Sequence, residues 1–158
     1  MNKYEQLGKI VPSILEGEKN FITNAANFSA LIFNEIEQLN WAGFYIFNGK
    51  ELVLGPFQGK AACVRIAMGK GVCGTSAALK KTIVVENVDE FPGHIACDSA
   101  SKSEIVIPIL KDGEIYAVFD IDSPIEKRFS NEDKIGLEKL VDLFVKDTIL
   151  QDLKTYFE

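Results

Sequence analysis

Hydrophobic residues change their spacing near residue 40, and this change separates a helical opening from a β-rich remainder. In the first part they recur at intervals of three and four, at Tyr4, Leu7, Val11 and Ile14 and again at Phe21, Ala25, Phe28 and Ile32. This period predicts two amphipathic helices. Pro12 is expected to break or kink the first of them, because proline removes a backbone donor and crowds the preceding turn.

From Trp41 onward, apolar runs of strand length alternate with turn signals. WAGFYIF and ELVLGPF are separated by Asn48, Gly49 and Lys50, and SEIVIPIL and EIYAVFDID by Lys111, Asp112 and Gly113. Asn-Gly and Asp-Gly favour tight hairpins, since both residues of each pair tolerate positive φ. Two more strands are predicted at CVRIAM and TIVVEN, and a short helix at TSAALKK that starts just after the glycines of GKGVCG.

The last part of the chain predicts one long helix. Ser130 and Asp133 have the spacing of a capping box, and apolar residues then recur at Ile135, Leu137, Leu140, Leu143, Phe144, Ile149 and Leu153. Helices at both ends and strands joined by hairpins predict an α+β fold. We expect a central antiparallel sheet of about six strands, with the N-terminal and C-terminal helices packed on one face.

Composition narrows the class of protein. A chain of 158 residues predicts a single domain, 1–158, and its 47% hydrophobic and 25% charged residues are typical of a globular protein. No run of eighteen apolar residues and no signal-peptide core is present, so we expect a cytoplasmic protein with no membrane partner. The net charge of −6 disfavours nucleic acid as a partner.

Three cysteines are the first candidates for chemistry. Cys63, Cys73 and Cys97 are an odd number, which argues against a set of purely structural disulfides. Cys97 lies in the polar segment HIACDSASKSE, where a thiol can meet a ligand, whereas the other two are flanked by residues typical of strands and turns. His94 in the same segment is interpreted as orienting the loop. A zinc site of three cysteines and His94 is disfavoured because no close cysteine pair exists, and no metal is predicted.

Three carboxylates form the second group of candidates. Asp120 and Asp122 are two residues apart on a predicted strand and therefore share a face, and Glu104 precedes the run IVIP. Crowded carboxylates would suit an ammonium group and would raise at least one carboxyl pKa, which keeps a proton available near neutral pH. Trp41 and Tyr45 share a face of the first strand. The alternatives are a strand-edge charge at Glu104, a turn cap at Asp122 and ordinary core packing for the aromatic pair.

The segments WAGFYI, LGPFQGKAACVRI, GKGVCGTS, HIACDSASKSEIVIP and AVFDIDS together resemble the free methionine-(R)-sulfoxide reductases, a family built on the GAF fold. The resemblance extends from about Trp41 to Phe129. It implies a GAF-like domain that reduces free L-methionine-(R)-sulfoxide to L-methionine with its thiols and without a bound cofactor. It also implies thioredoxin or a similar dithiol as the external reductant.

The resemblance assigns roles to the candidate residues. It implies that Cys97 attacks the sulfoxide and becomes a sulfenic acid, which Cys63 or Cys73 resolves as an intramolecular disulfide. Cys63 is favoured, and Cys73 stays open. Catalysis and substrate binding are expected to involve the carboxylates and aromatic residues, namely Glu104, Asp120, Asp122, Trp41 and Tyr45. The alternative function is a non-catalytic GAF sensor of a small ligand. A homodimer through the terminal helices is compatible with both functions.

Overall fold

The structure is a computed structural model that describes residues 1–94 and 98–157. Two helices open the chain as predicted, α1 (Lys3–Ile14) and α2 (Phe21–Glu35). Asn2 and Asn20 cap them, each side chain accepting a hydrogen bond from a backbone N–H of the first turn. The predicted break at Pro12 is wrong, because α1 includes this proline and continues to Ile14.

Six strands in the described part of the chain form one antiparallel sheet. In chain order they are β1 (Trp41–Phe47), β2 (Glu51–Gly59), β3 (Arg65–Ala67), β4 (Ile83–Val85), β5 (Ser103–Lys111) and β6 (Glu114–Ser123). The spatial order is β3-β2-β1-β6-β5-β4, and each neighbouring pair is antiparallel. Both predicted hairpins are confirmed. In the second, Asp112 and Gly113 have φ of 52° and 77°, the positive values that its tight turn requires.

The two remaining helices differ from the expectation in their limits. Helix α3 (Gly71–Leu79) begins at Gly71 and thus includes glycines that were predicted to precede it. Helix α4 (Asn131–Lys146) has the predicted capping box at its start but ends before Ile149, and a 3₁₀ helix, Gln151–Phe157, follows. The apolar period runs on past Lys146, but the chain leaves the helix because Ile149 N–H bonds to the carbonyl of Lys19 at 2.9 Å.

The sheet has a helix-covered core on each face. Helices α1, α2 and α4 pack on one face, against residues such as Phe44 of β1 and Phe119 of β6, which confirms the predicted layering. Helix α3 packs on the other face, where Tyr45 and Val118 belong to a second, smaller core. The period of two along each strand therefore sends alternate residues to different cores. No helix in the described residues is long and apolar enough to cross a membrane.

Candidate functional site

Strand register brings the three predicted carboxylates together on the face covered by α3. Glu104 of β5 lies directly opposite Asp122 of β6, and Asp122 also lies opposite Trp41 of β1. Asp120 is two residues before Asp122 and projects to the same face. Residues from three neighbouring strands thus meet at one place, although they are up to 81 positions apart in the sequence.

A cavity opens between this part of the sheet and the start of α3. Six of the eight predicted site residues line it, namely Trp41, Tyr45, Cys73, Glu104, Asp120 and Asp122. The remaining two are Cys63, described below, and Cys97, which lies outside the described residues. The sheet and α3 therefore bring the predicted carboxylates, the aromatic pair and one thiol to a single concave surface.

The carboxylates are buried close to one another, which disfavours their charged forms. Glu104 and Asp120 are each only 5% exposed. Burial, followed by the charge of Asp122, raises the pKa of Glu104 well above its usual value. Burial also raises the pKa of Asp120, with Glu104 as the next cause, and the pKa of Asp122, with Asp120 as the next cause. The cluster consequently holds protons at pH values where an exposed carboxyl has lost them.

Cys73 lies on α3 and not on a strand or turn, which corrects the sequence interpretation. It is a free thiol, 5% exposed, and its Sγ donates a hydrogen bond to the carboxyl of Asp120. Burial raises the pKa of the Cys73 thiol well above its usual value, and the negative field of Asp120 adds to this. Since the thiolate is the reactive form, Cys73 is a poor nucleophile in this environment.

Glycines explain why α3 comes so close to the carboxylates. Gly69 and Gly71 have φ of 80° and 61°, which gives the sharp entry into the helix. A Cβ at Gly74 would clash with the carbonyl oxygen of Ala67, so a side chain there would push α3 away from β3. The same glycines explain why the sequence predicted a later start for this helix, because glycine is unfavourable inside helices.

Trp41 and Tyr45 line the cavity and also hold the segment that carries Cys63. Their rings stack with centroids 5.8 Å apart. Trp41 Nε1 donates to the carbonyl of Lys60 at 3.0 Å, and the Tyr45 hydroxyl donates to the carbonyl of Cys63 at 2.9 Å. Cys63 is half-buried, lies in the irregular segment before β3, and is disulfide-bonded. The aromatic pair therefore positions the Cys63 backbone as well as shaping the cavity wall.

His94 faces the carboxylates more directly than the sequence indicated. Its Nε2 lies 3.5 Å from Oε1 of Glu104, and the residue lines the cavity. Burial is the largest influence on His94 and lowers its pKa, although the charge of Asp120 acts in the opposite direction. The signal available in the sequence was its position three residues before Cys97, but an irregular loop leaves the direction of a side chain open.

Polar residues from loops complete the cavity, and sequence reasoning missed them. Lys60 and Lys70 line it and are exposed, and Asp98 and Ser101 line it from the segment after Cys97. Asn40 Nδ2 donates to Asp98 Oδ2 at 3.1 Å and to Ser101 Oγ at 3.0 Å. This amide fastens the segment to the start of β1. The α-carboxylate of an amino acid would need a cation such as Lys60 or Lys70. The sequence offered no other signal that these lysines line the cavity.

One group of ligand atoms has the spacing of a metal site. Sγ of Cys73 and one carboxylate oxygen each of Glu104 and Asp120 lie within 4.8 Å of one another, and all three residues are buried. This set differs from the zinc alternative considered from sequence, which combined cysteines with His94. Within the described residues, the thiol of Cys73 has carboxylates as its neighbours.

Comparison with known proteins agrees with this geometry. A model of the GAF domain matches residues 23–145. A free methionine-R-sulfoxide reductase of Escherichia coli is 46% identical over 99% of this chain and 97% of its own. The chain belongs to the free methionine-R-sulfoxide reductase family of GAF-domain proteins.

Solved structures extend the likeness from sequence to fold. The fRMsr of Staphylococcus aureus in its reduced form is 50% identical, with a TM-score of 0.89 over 91% of this chain and 94% of that one. A free methionine-R-sulfoxide reductase of Neisseria meningitidis, solved in complex with its substrate, is 36% identical, with a TM-score of 0.88 over 98% of this chain and 92% of that one. The reductase family therefore shares this sheet and its helices over nearly the whole length, which confirms the predicted GAF-like fold.

Asp120→Asn should stabilise the protein, and more so at pH 8 than at pH 5. In the folded state the carboxyl cluster binds protons that the unfolded chain releases above about pH 4, so the free energy of unfolding of the wild type falls as pH rises. Removing one of the buried acids should raise that free energy at pH 8 by about 1–2 kcal/mol. Urea unfolding at both pH values measures it. An equal or smaller gain at pH 8 than at pH 5 would contradict the argument.

Proposed function

We propose that this protein reduces free L-methionine-(R)-sulfoxide to L-methionine with its own thiols. The observation that carries the proposal is the cavity that three carboxylates line together with an aromatic pair, beside the segment that bears the disulfide-bonded Cys63. The names of the relatives, which say free methionine-R-sulfoxide reductase, support the same substrate. A protonated carboxyl, a negative cavity for an ammonium group and a pair of thiols are the three features that this reaction needs.

The proposed reaction uses two thiols and releases water. The Cys97 thiol attacks the sulfoxide sulfur, the substrate oxygen takes up a proton, and methionine leaves as Cys97 becomes a sulfenic acid. The Cys63 thiol then condenses with this sulfenic acid to give a disulfide and one water molecule. Two electrons thus pass from two thiols to the sulfoxide. The disulfide is reduced by an external dithiol through thiol-disulfide exchange.

Two observations support Cys63 over Cys73 as the resolving thiol. Cys63 is disulfide-bonded, whereas Cys73 is a free thiol buried beside Asp120. The raised pKa of Cys73 also leaves it protonated, and exchange requires the thiolate. Cys73 then serves the cavity by donating a hydrogen bond to Asp120 and by filling space between α3 and the sheet.

The carboxylates have two tasks in this proposal. Glu104, Asp120 and Asp122 hold the α-ammonium group of the free amino acid, and one carboxyl of the cluster supplies the proton to the sulfoxide oxygen. Like charges in a buried site cannot all be ionised, and this keeps that proton in place near pH 7. Trp41 and Tyr45 enclose the S-methyl group with their stacked rings, because thioether sulfur and methyl groups pack well on aromatic faces.

Thioredoxin or a similar dithiol is the proposed reductant, and the cytosol is the compartment that maintains such donors.

A homodimer is proposed through the helices α1 and α4. Three isoleucines on these helices, Ile10, Ile14 and Ile135, are at least 38% exposed, which supports this interface. Sedimentation equilibrium tests this: a monomer at all concentrations would remove the dimer from the proposal.

The first experiment follows NADPH consumption with thioredoxin and its reductase. Free L-methionine-(R)-sulfoxide, the (S) epimer and a peptide-bound sulfoxide are compared at equal concentration. We expect turnover with the free (R) form alone, since the carboxylate cluster recognises a free ammonium group. No turnover with any of the three, repeated with dithiothreitol as donor, would refute the proposed function and favour a ligand sensor.

Cys63→Ser should separate the first half of the reaction from recycling. The reduced variant is expected to release about one methionine per protein molecule, because Cys97 can still attack, and then to turn over at least about tenfold more slowly with thioredoxin. Cys73→Ser is the matched control and should recycle at a rate within about twofold of wild type. Unimpaired thioredoxin-dependent turnover in Cys63→Ser, with loss in Cys73→Ser, would transfer the resolving role to Cys73.

A further inference from the structure

The thiol of Cys73 and the carboxylates of Glu104 and Asp120 form a compact triangle of ligand atoms. Their Sγ and oxygen atoms lie within 4.8 Å of one another, and each residue is 5% exposed. Ligands around a tetrahedral zinc ion, bonded at about 2.0–2.3 Å, are roughly 3.5 Å apart. Closing the triangle onto an ion thus requires side-chain shifts of about 1 Å, which rotations of Glu104 and Cys73 can supply.

One carboxylate oxygen of Asp120 lacks a partner among the described residues. Oδ1 of Asp120 is buried and makes no hydrogen bond within the part of the chain that the structure describes. A buried carboxylate oxygen without a donor is costly, and native proteins rarely leave one unless a water or ion completes it. Asp120 also lines the cavity, so its carboxyl group borders the space that an ion would enter.

We propose that Cys73, Glu104 and Asp120 of the reduced protein bind a thiophilic divalent cation, of which Zn²⁺ is the physiological representative. Thiolate and carboxylate are both ligand types that zinc accepts, whereas Mg²⁺ and Ca²⁺ prefer oxygen alone. The fourth position is left to water: His94 Nε2 lies 3.5 Å from Oε1 of Glu104, but it is not within ligand distance of all three residues. Binding releases the Cys73 thiol proton and the protons shared among the carboxyls to solvent.

The bound ion would act as a reversible inhibitor, and this part rests on the proposed function. The ion would occupy the carboxylates that bind the ammonium group of the amino acid. It would also displace the carboxyl proton that is donated to the sulfoxide oxygen. Zinc should therefore raise the apparent KM for methionine sulfoxide without lowering kcat. The site would make reductase activity responsive to free zinc in addition to the supply of dithiol.

Co²⁺ titration of a variant with a single remaining thiol tests the site without any substrate. In the reduced Cys63→Ser, Cys97→Ser protein, Cys73 is the sole source of a thiolate. We expect a thiolate-to-cobalt charge-transfer band that saturates at one equivalent and disappears on adding one equivalent of Zn²⁺. Adding Cys73→Ser should abolish the band. Absence of the band in the starting variant, or its persistence after Cys73→Ser, would overturn the proposal.

The carboxylate ligand is tested with a matched pair of substitutions. Asp120→Asn should weaken Zn²⁺ binding by at least about tenfold in calorimetry, whereas Asp98→Asn, which also changes a cavity carboxylate, should alter it by less than twofold. Equal affinities in the two variants would overturn the site even if Cys73→Ser failed to fold. Because binding is measured without methionine sulfoxide, a protein that binds zinc but lacks reductase activity would refute the proposed function and leave the metal site standing.

Discussion

Cys97→Ser should abolish turnover of free L-methionine-(R)-sulfoxide, with a loss of at least about 10³-fold in kcat. A hydroxyl is a harder nucleophile than a thiol, loses its proton far less readily and forms no sulfenic acid, so neither attack on sulfur nor later disulfide formation can proceed. The carboxylates and aromatic residues that line the cavity remain in this variant. Substrate binding should consequently survive, while product formation does not.

Single-turnover methionine release, measured by chromatography after reduction of the protein, checks this expectation. Cys97→Ser should release none, whereas Cys63→Ser should release about one methionine per molecule, which makes the two variants a matched pair. Calorimetric binding of the sulfoxide to Cys97→Ser confirms that the cavity is intact. Multiple turnover by Cys97→Ser at near the wild-type rate would remove Cys97 from the position of the nucleophile.

Strands and hairpins of this fold could be predicted because their signals are local. The strand period of two in WAGFYIF and EIYAVFDID sets which residues face each core, and Asp112 and Gly113 determine one turn. That period also predicted Asp120 and Asp122 on one face. The position of Asp122 opposite Glu104 depends on strand register, which the short turn and a register shift between Ile109 and Leu110 set together.

Other features depend on contacts between distant parts of the chain. The start of α3 at Gly71 depends on the close approach of Gly74 to Ala67, and the end of α4 depends on a hydrogen bond from Ile149 to Lys19. Neither contact leaves a periodic trace in the sequence. Local propensity therefore predicts a later start for α3 and a later end for α4 than tertiary packing produces.

The candidate site divides in the same way. Its strand residues could be predicted from period and chemistry, whereas His94, Lys60 and Asp98 come from loops whose direction is set by packing. Cys73 was recognised as a thiol, but its burial beside Asp120 arises from the docking of α3. This environment makes the Cys73 thiol a weak nucleophile and a suitable metal ligand. Neither property can be recognised from the position of a cysteine in the sequence.

Glu104→Gln and Asp122→Asn should each lower kcat/KM for the free amino acid by about 10²–10³-fold. Both substitutions keep the shape of the side chain and remove a negative charge from the ammonium-binding cluster. Glu104→Gln also removes an acid whose pKa is raised well above its usual value by burial. A loss shared between kcat and KM therefore indicates both tasks, and a loss in KM alone indicates ammonium binding alone.

The pH profile separates proton donation from simple damage to the cavity. A carboxylic acid donor is active in its protonated form, so wild-type kcat should decline as pH rises through the raised pKa of the cluster, and Glu104→Gln should flatten that decline. Glu51→Gln is the matched control, because it changes a β2 carboxylate paired with exposed Arg65 outside the cavity and should leave kcat/KM within about twofold. Unchanged kcat/KM in both Glu104→Gln and Asp122→Asn would refute the carboxylate cluster as the substrate site, whatever the fate of the cysteines.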